Sequence, residues 1–145
     1  MEKIVKNFIE NAGFVKNETY FEQCCLQDLM ISKFKPSNLN SNLNQKEFDF
    51  ILFYKDNLFA IECNFYQTHG SKINETIKNY EAIFNAFEKF KKFHFIWITD
   101  GPGWEKSKNQ LKNKLSLINN MFNIYELENS PNGLLQLLDN LIMKD

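Results

Sequence analysis

Apolar side chains recur at helical spacing from the first residues onward. Val5, Phe8, Ile9 and Ala12 share one face of a segment running from Glu2 to Ala12, and Gly13 supplies a C-terminal stop. The next stretch, Phe14 to Phe34, has no clean period; Tyr20 and Phe21 are aromatic, and Leu26, Leu29 and Met30 suggest a short helix. Pro36 to Gln45 carries Ser-Asn-Leu-Asn twice and reads as a polar loop. The pattern then changes to that of strands. Glu47 to Tyr54 and Leu58 to Phe65 are rich in β-forming residues and flank Asp56-Asn57, which predicts an antiparallel hairpin with a two-residue loop there. In that register Lys55 faces Leu58, Ile51 faces Glu62 and Asp49 faces Asn64. Strict alternation puts Asp49, Ile51 and Phe53 on one face with Asn64, Glu62 and Ala60.

Gln67-Thr-His-Gly70 connects this hairpin to a helix running from Ser71, its N-cap, to about Lys92, with Ile73, Ile77, Tyr80, Phe84 and Phe87 as the buried stripe. His94 to Thr99 reads as a buried strand and Asp100-Gly-Pro-Gly103 as a sharp turn. Trp104 to Leu117 reads as a Lys-bearing helix with Leu111, Leu115 and Ile118 inward, and Met121 to Leu127 as a last strand. Pro131 opens a closing helix that carries Leu134, Leu138, Leu141 and Ile142. The order of elements predicts an α/β fold, a central mixed β-sheet flanked by helices, as a single domain over residues 1–145.

Composition narrows the function classes. With 43% hydrophobic and 15% aromatic residues in 145, a disordered chain is excluded. The net charge of -1, from 17 Lys+Arg against 18 Asp+Glu, argues against a protein that wraps nucleic acid by bulk electrostatics. Every basic residue is Lys and Asn occurs twenty times, which reads as the drift of an AT-rich coding sequence. Cys24, Cys25 and Cys63 form neither a disulfide framework nor a zinc spacing, so reduced thiols are expected. No apolar stretch is long enough to span a bilayer and no signal peptide is evident, so no membrane partner and a cytoplasmic location are expected.

One constellation needs a chemical explanation. Asp49, Glu62 and Asn64 are neighbours on otherwise apolar strands, and buried carboxylates are costly unless paired or bound to a cation. No Arg exists to pair with them. A hard divalent cation satisfies both carboxylates, and oxygen donors suit Mg²⁺, which positions a water and stabilises charge on a phosphate. The spacing alone leaves a second reading open, a solvated sheet edge with both carboxylates facing water.

The layout Asp-x12-Glu-x-Asn on consecutive strands resembles the PD-(D/E)XK nuclease core, with Asn64 where that superfamily usually has Lys. Several blocks are more specifically similar to the DpnII/MboI type of Type II restriction endonuclease, which cuts at GATC. They are Phe48-Asp-Phe50, Ile61-Glu-Cys-Asn-Phe-Tyr66, Gly70-Ser-Lys72 with Asn74-Glu75, and Phe95-Ile-Trp-Ile-Thr-Asp-Gly-Pro-Gly-Trp104. Weaker likeness reaches back through Gln23 and Tyr20, so that the resemblance covers roughly Val5 to Leu138.

The resemblance implies a Mg²⁺-dependent endonuclease acting on double-stranded DNA at GATC within a restriction-modification system. Asp49 and Glu62 are then the metal ligands. Asn64 fills the third catalytic position, and Lys72 is the candidate for the positive charge that an amide lacks; its other reading is a solvated first-turn Lys. The helix start at Ser71 is a place for a DNA phosphate. Glu47, Glu75 and His69 are more distant candidates, each simpler to read as solvated. Asp100 to Trp104 either places backbone near DNA or only turns the chain. Lys106, Lys108, Lys112 and Lys114 lie round their helix as a solvated surface or as phosphate contacts, and Gln23 is given no role.

Implied partners are a second copy in a homodimer, since two strands need two active sites, and a cognate DNA methyltransferase. The rival readings are a catalytically inactive DNA- or protein-binding remnant of the fold, and a DNA repair or junction nuclease. Relatives carry a further N-terminal segment, so the near-neutral chain is expected to be a catalytic core whose DNA affinity is supplied elsewhere.

Overall fold

The computed structural model describes residues 1–29, 41–68, 71–106, 117, 119–129 and 133–144. Helix α1 (Glu2–Asn11) buries Val5 and Ile9 and ends at Gly13, whose φ of +103° gives the left-handed stop expected there. The patternless stretch that follows contains strand β1 (Tyr20–Cys25), then the short helix α2 (Leu26–Leu29). Helix α3 (Ser41–Gln45) occupies the end of the expected polar loop. The hairpin is β2 (Glu47–Tyr54) with β3 (Asn57–Phe65), followed by helix α4 (Ser71–Phe87) and strand β4 (Phe93–Asp100). A 3₁₀ turn (Pro102–Lys106), strand β5 (Met121–Phe122), helix α5 (Ile124–Asn129) and helix α6 (Gly133–Met143) complete the described chain.

Among the described residues the five strands make one sheet in the order β1-β2-β3-β4-β5. The first three strands are antiparallel, whereas β3, β4 and β5 run parallel, so the sheet is mixed. Both faces are covered. Val5, Ile9, Leu134, Leu138 and Leu141 of α1 and α6 pack on Phe50, Leu52, Phe59, Ile61, Ile96 and Ile98. On the other face Ile73, Ile77, Phe84 and Phe87 of α4 pack on Ile51, Leu58, Ala60, Phe95 and Trp97. Burial on both sides explains why β3 and β4 read as near-continuous apolar runs rather than as an alternation. Among the described residues no helix is long and apolar enough to cross a membrane.

Helix α4 ends at Phe87 rather than near Lys92, and three further expectations change. The hairpin loop is Lys55-Asp56, not Asp56-Asn57: both residues have positive φ (48° and 63°), as a primed turn requires, and Tyr54 pairs with Asn57. Asn57 is drawn into the strand because its Nδ2 donates to the Lys55 carbonyl at 2.8 Å and its Oδ1 meets His94 Nε2 at 2.8 Å. The pairing slips by two positions, so Ile51 faces Ala60 rather than Glu62. The last strand stops at Phe122, because Asn123 and Glu126 form a reciprocal capping box that starts α5: Glu126 N–H donates to Asn123 Oδ1 at 2.8 Å and Asn123 N–H to Glu126 Oε1 at 3.1 Å. Finally, β1 adds an edge strand that aromatic Tyr20 and Phe21 alone did not announce. The expected helix from Trp104 to Leu117 and the helix start at Pro131 fall largely outside the described residues.

The Asp100-Gly-Pro-Gly-Trp104 turn is part of the frame. Gly103 N–H donates to the Tyr66 carbonyl at 2.9 Å, Tyr66 N–H to the Asp100 carbonyl at 2.9 Å, and the Trp104 indole to Thr99 Oγ1 at 2.8 Å. Asp100 also binds the N–H of Gly101 at 2.9 Å and of Ile124 at 3.3 Å, tying the end of β4 to the start of α5. A Cβ on Gly101, which has φ +116°, would collide with the Tyr66 carbonyl oxygen. Gly101→Ala should therefore cost about 2–3 kcal/mol in urea unfolding. Gly13→Ala, equally left-handed at φ +103° but with open space around it, should cost only about 1 kcal/mol.

Candidate active site

The β2–β3 ladder is regular from Tyr54–Asn57 to Phe50–Ile61 and then changes character. At the next position Asp49 N–H donates to the Glu62 side chain, Oε2 at 3.1 Å, in place of a carbonyl. Cys63 N–H, in turn, donates to Asp49 Oδ2 at 2.9 Å. Each carboxylate is thus oriented by the other strand's main chain. The alternation of β2 slips at the same point: Phe48 and Ile51, three residues apart, pack into the same core cluster, which a regular strand forbids. The even face expected for Asp49, Ile51 and Phe53 is therefore broken at Asp49, and Asp49 meets Glu62 and Cys63 instead of facing Asn64.

Around the pair lie groups that pattern reading did not bring forward. Gln23, in the left-handed region at φ +45°, bridges Asp49 Oδ1 at 3.2 Å and Glu2 Oε2 at 3.3 Å. It stands between the pairs Glu22–Phe50 and Cys24–Phe48, so β1 carries a backbone outlier beside the β2 irregularity. Lys46 Nζ is 2.7 Å from Glu62 Oε1, and the Tyr80 hydroxyl donates to the same oxygen at 3.4 Å. Gln23 was named only through the resemblance and without a role, because no regular period marks residues 14–34, and Glu2 was only the start of the first helical segment. Tyr80 was visible only as part of the α4 stripe, and Lys46, between the expected loop and strand, was given no part.

Electrostatics follow from this enclosure. Glu62 is 6% exposed, and burial pushes its carboxyl above the ordinary range; Lys46 opposes that shift and the Asp49 charge adds to it. Glu2 is also raised, by desolvation first and by Asp49 second. The Cys63 thiol, buried and 3.6 Å from Asp49 Oδ2, is pushed up by burial and by the same carboxylate, which keeps it protonated and unreactive. All three cysteines are free.

Asn64 is half-buried, with Oδ1 accepting from the Trp97 indole at 3.0 Å. Lys72 is exposed in the first turn of α4, its carbonyl accepting from Thr76 Oγ1 at 2.8 Å, and it touches neither carboxylate among the described contacts. Glu47 and Glu75 are exposed, and His69 lies outside the described residues. His94 is a buried partner of Asn57, stacked on Phe59 with ring centroids 4.7 Å apart.

The profile of the DpnII restriction endonuclease family matches residues 1–132. The chain belongs to that family. It is 34% identical over 134 residues to the Type II restriction enzyme DpnII of Streptococcus pneumoniae, an overlap of 90% of this chain and 46% of the relative. It is 41% identical over 117 residues to MjaIII of Methanocaldococcus jannaschii, covering 77% of this chain and 39% of the relative, and 37% identical over 82 residues to MboI of Moraxella bovis. The chain thus spans less than half the length of these DpnII-family enzymes. No solved structure matches it significantly.

A stability measurement reads the strain of this site directly. Because folding raises the Glu62 pKa above its ordinary 4.5, the ionised carboxyl disfavours the native state, a penalty absent at low pH and complete above the raised value. In EDTA at pH 7, Glu62→Gln should raise the urea midpoint, since the desolvated charge is removed while the single amide oxygen still accepts from one of the two donors, Asp49 N–H. The gain should vanish as the pH falls below the ordinary carboxylate range.

Proposed function

We propose that this chain is the catalytic core of a DpnII/MboI-type enzyme that hydrolyses phosphodiesters of double-stranded DNA at GATC with Mg²⁺. The observation that carries this reading is the reciprocal anchoring of Asp49 and Glu62 across the end of the β2–β3 ladder. Among the described residues no group of three or more His, Cys, Asp or Glu gathers as a metal cage. Two hard oxygen donors fit a Mg²⁺ ion, which commonly takes one or two carboxylates and leaves the rest to water and substrate phosphate. Asp49 and Glu62 would hold that cation, which supplies a water of lowered pKa and charge stabilisation at phosphorus.

The chain's own residues then divide the remaining work. Asn64 has its amide oxygen committed to Trp97, which leaves its NH₂ to donate to the attacking water or to a phosphate oxygen. Gln23 fixes the second oxygen of Asp49, so the carboxylate keeps one orientation. Lys72, exposed at the start of α4, would meet a phosphate along the DNA backbone rather than the carboxylates. Membership in the DpnII family supports a restriction role; a homodimer cutting both strands, a cognate DNA methyltransferase and action in the cytoplasm complete the proposal.

A plasmid digest tests it. Unmethylated GATC plasmid should be cut at those sites in the presence of Mg²⁺, with no cleavage in EDTA. Asp49→Ala and Glu62→Ala should each lose at least about 1000-fold in turnover, the scale seen when a key electrostatic element of an active site is removed. Retained Mg²⁺-dependent cleavage in either variant would exclude this site, and cleavage indifferent to GATC would favour a repair nuclease.

A further inference from the structure

Hydrolysis of a phosphodiester concentrates negative charge on the phosphate and leaving oxygens, and a fixed positive group at that point lowers the barrier. Asn64 is neutral and Lys72 is turned to solvent. Lys46 is different. It lies in the joint between α3 and β2, three residues before Asp49, so the hairpin itself carries it to the site. Its Nζ sits 2.7 Å from Glu62 Oε1 and 5.4 Å from the centroid of the Phe48 ring.

These two contacts come from different strands. Phe48 is fully buried and its ring packs against Phe87 and Phe95, so the ammonium rests on a fixed platform rather than on its own flexible stem. The Lys46 side chain is 31% exposed against 8% for Glu62, so the lysine is the more solvent-accessible partner of the pair. Among the described residues it is the one cation paired with either carboxylate.

We infer that Lys46 supplies the positive charge of the reaction centre, entering from the start of β2 to stabilise the phosphate during hydrolysis. The inference rests on the hydrolytic reading above. Lys46→Gln should lower kcat at saturating Mg²⁺ and DNA by at least about 100-fold with little change in KM, and Lys46→Arg should restore most of the activity. Calorimetry of the metal-free protein supplies a readout independent of cleavage: Lys46→Gln should bind Mn²⁺ at least as tightly as the wild type, since a competing ammonium has been removed. A Lys46→Gln protein with wild-type turnover overturns the inference and makes Lys46 a neutraliser of Glu62 only. Loss of Mn²⁺ binding, or inactivity of a folded Lys46→Arg protein, overturns it as well. Wild-type protein that cuts no duplex DNA refutes the hydrolytic reading itself, and this inference with it.

Discussion

Between β2 and β3, two carboxylates act where carbonyl groups act in the rest of the ladder. Asp49 gives its N–H to Glu62 and takes the N–H of Cys63, so neither carboxylate can turn without opening the strand junction. That exchange is possible because the hairpin register is pinned at its other end, by positive φ at Lys55 and Asp56 and by Asn57 between Lys55 and His94. A slip of one residue would move the whole apolar set of β2 to the opposite face, and the paired helix layers forbid it. The rigid sheet thus sets the site, and the site bends the sheet locally at Asp49.

The charges are arranged against the same constraint. Glu2 and Glu62 each feel the Asp49 charge, and Lys46 pairs with Glu62 as the opposing cation. Hydrogen bonds to main-chain N–H groups, to Gln23 and to Tyr80 hold the acidic groups in place without removing their excess charge. In the proposed reading, a cation bound there would relieve that excess charge at the strand end. Trp104 packs edge-on against both Trp97 and Tyr66, and Asn64 is fastened to Trp97.

Much of this was legible in the sequence. Long periodic segments such as α1, α4 and α6 appear where their apolar stripes put them, and the hairpin and parallel β4 were marked by unbroken β-forming runs. The family resemblance read from short blocks agrees with the family match over residues 1–132. What escaped was set by side-chain hydrogen bonding. Asn57 moved the turn by one residue, and the Asn123–Glu126 capping box converted the second half of an expected strand into α5; the motif was present but was outweighed by alternation. Strand β1 was not legible, and Gln23 was named without a role, because an edge strand with a left-handed residue has no clean period. Lys46 reaches Glu62 only once the register is known, since the two are sixteen positions apart in sequence.

We propose that Asp49 and Glu62, held by each other's strands, form one divalent-cation site. Anomalous diffraction from a crystal grown with Mn²⁺ tests it most directly. A single peak within coordination distance of oxygens from both carboxylates is expected, with the Asp49–Cys63 main-chain bond intact. A peak elsewhere, or carboxylates still tied to Gln23 and Lys46 at saturating Mn²⁺ with no peak between them, would contradict it.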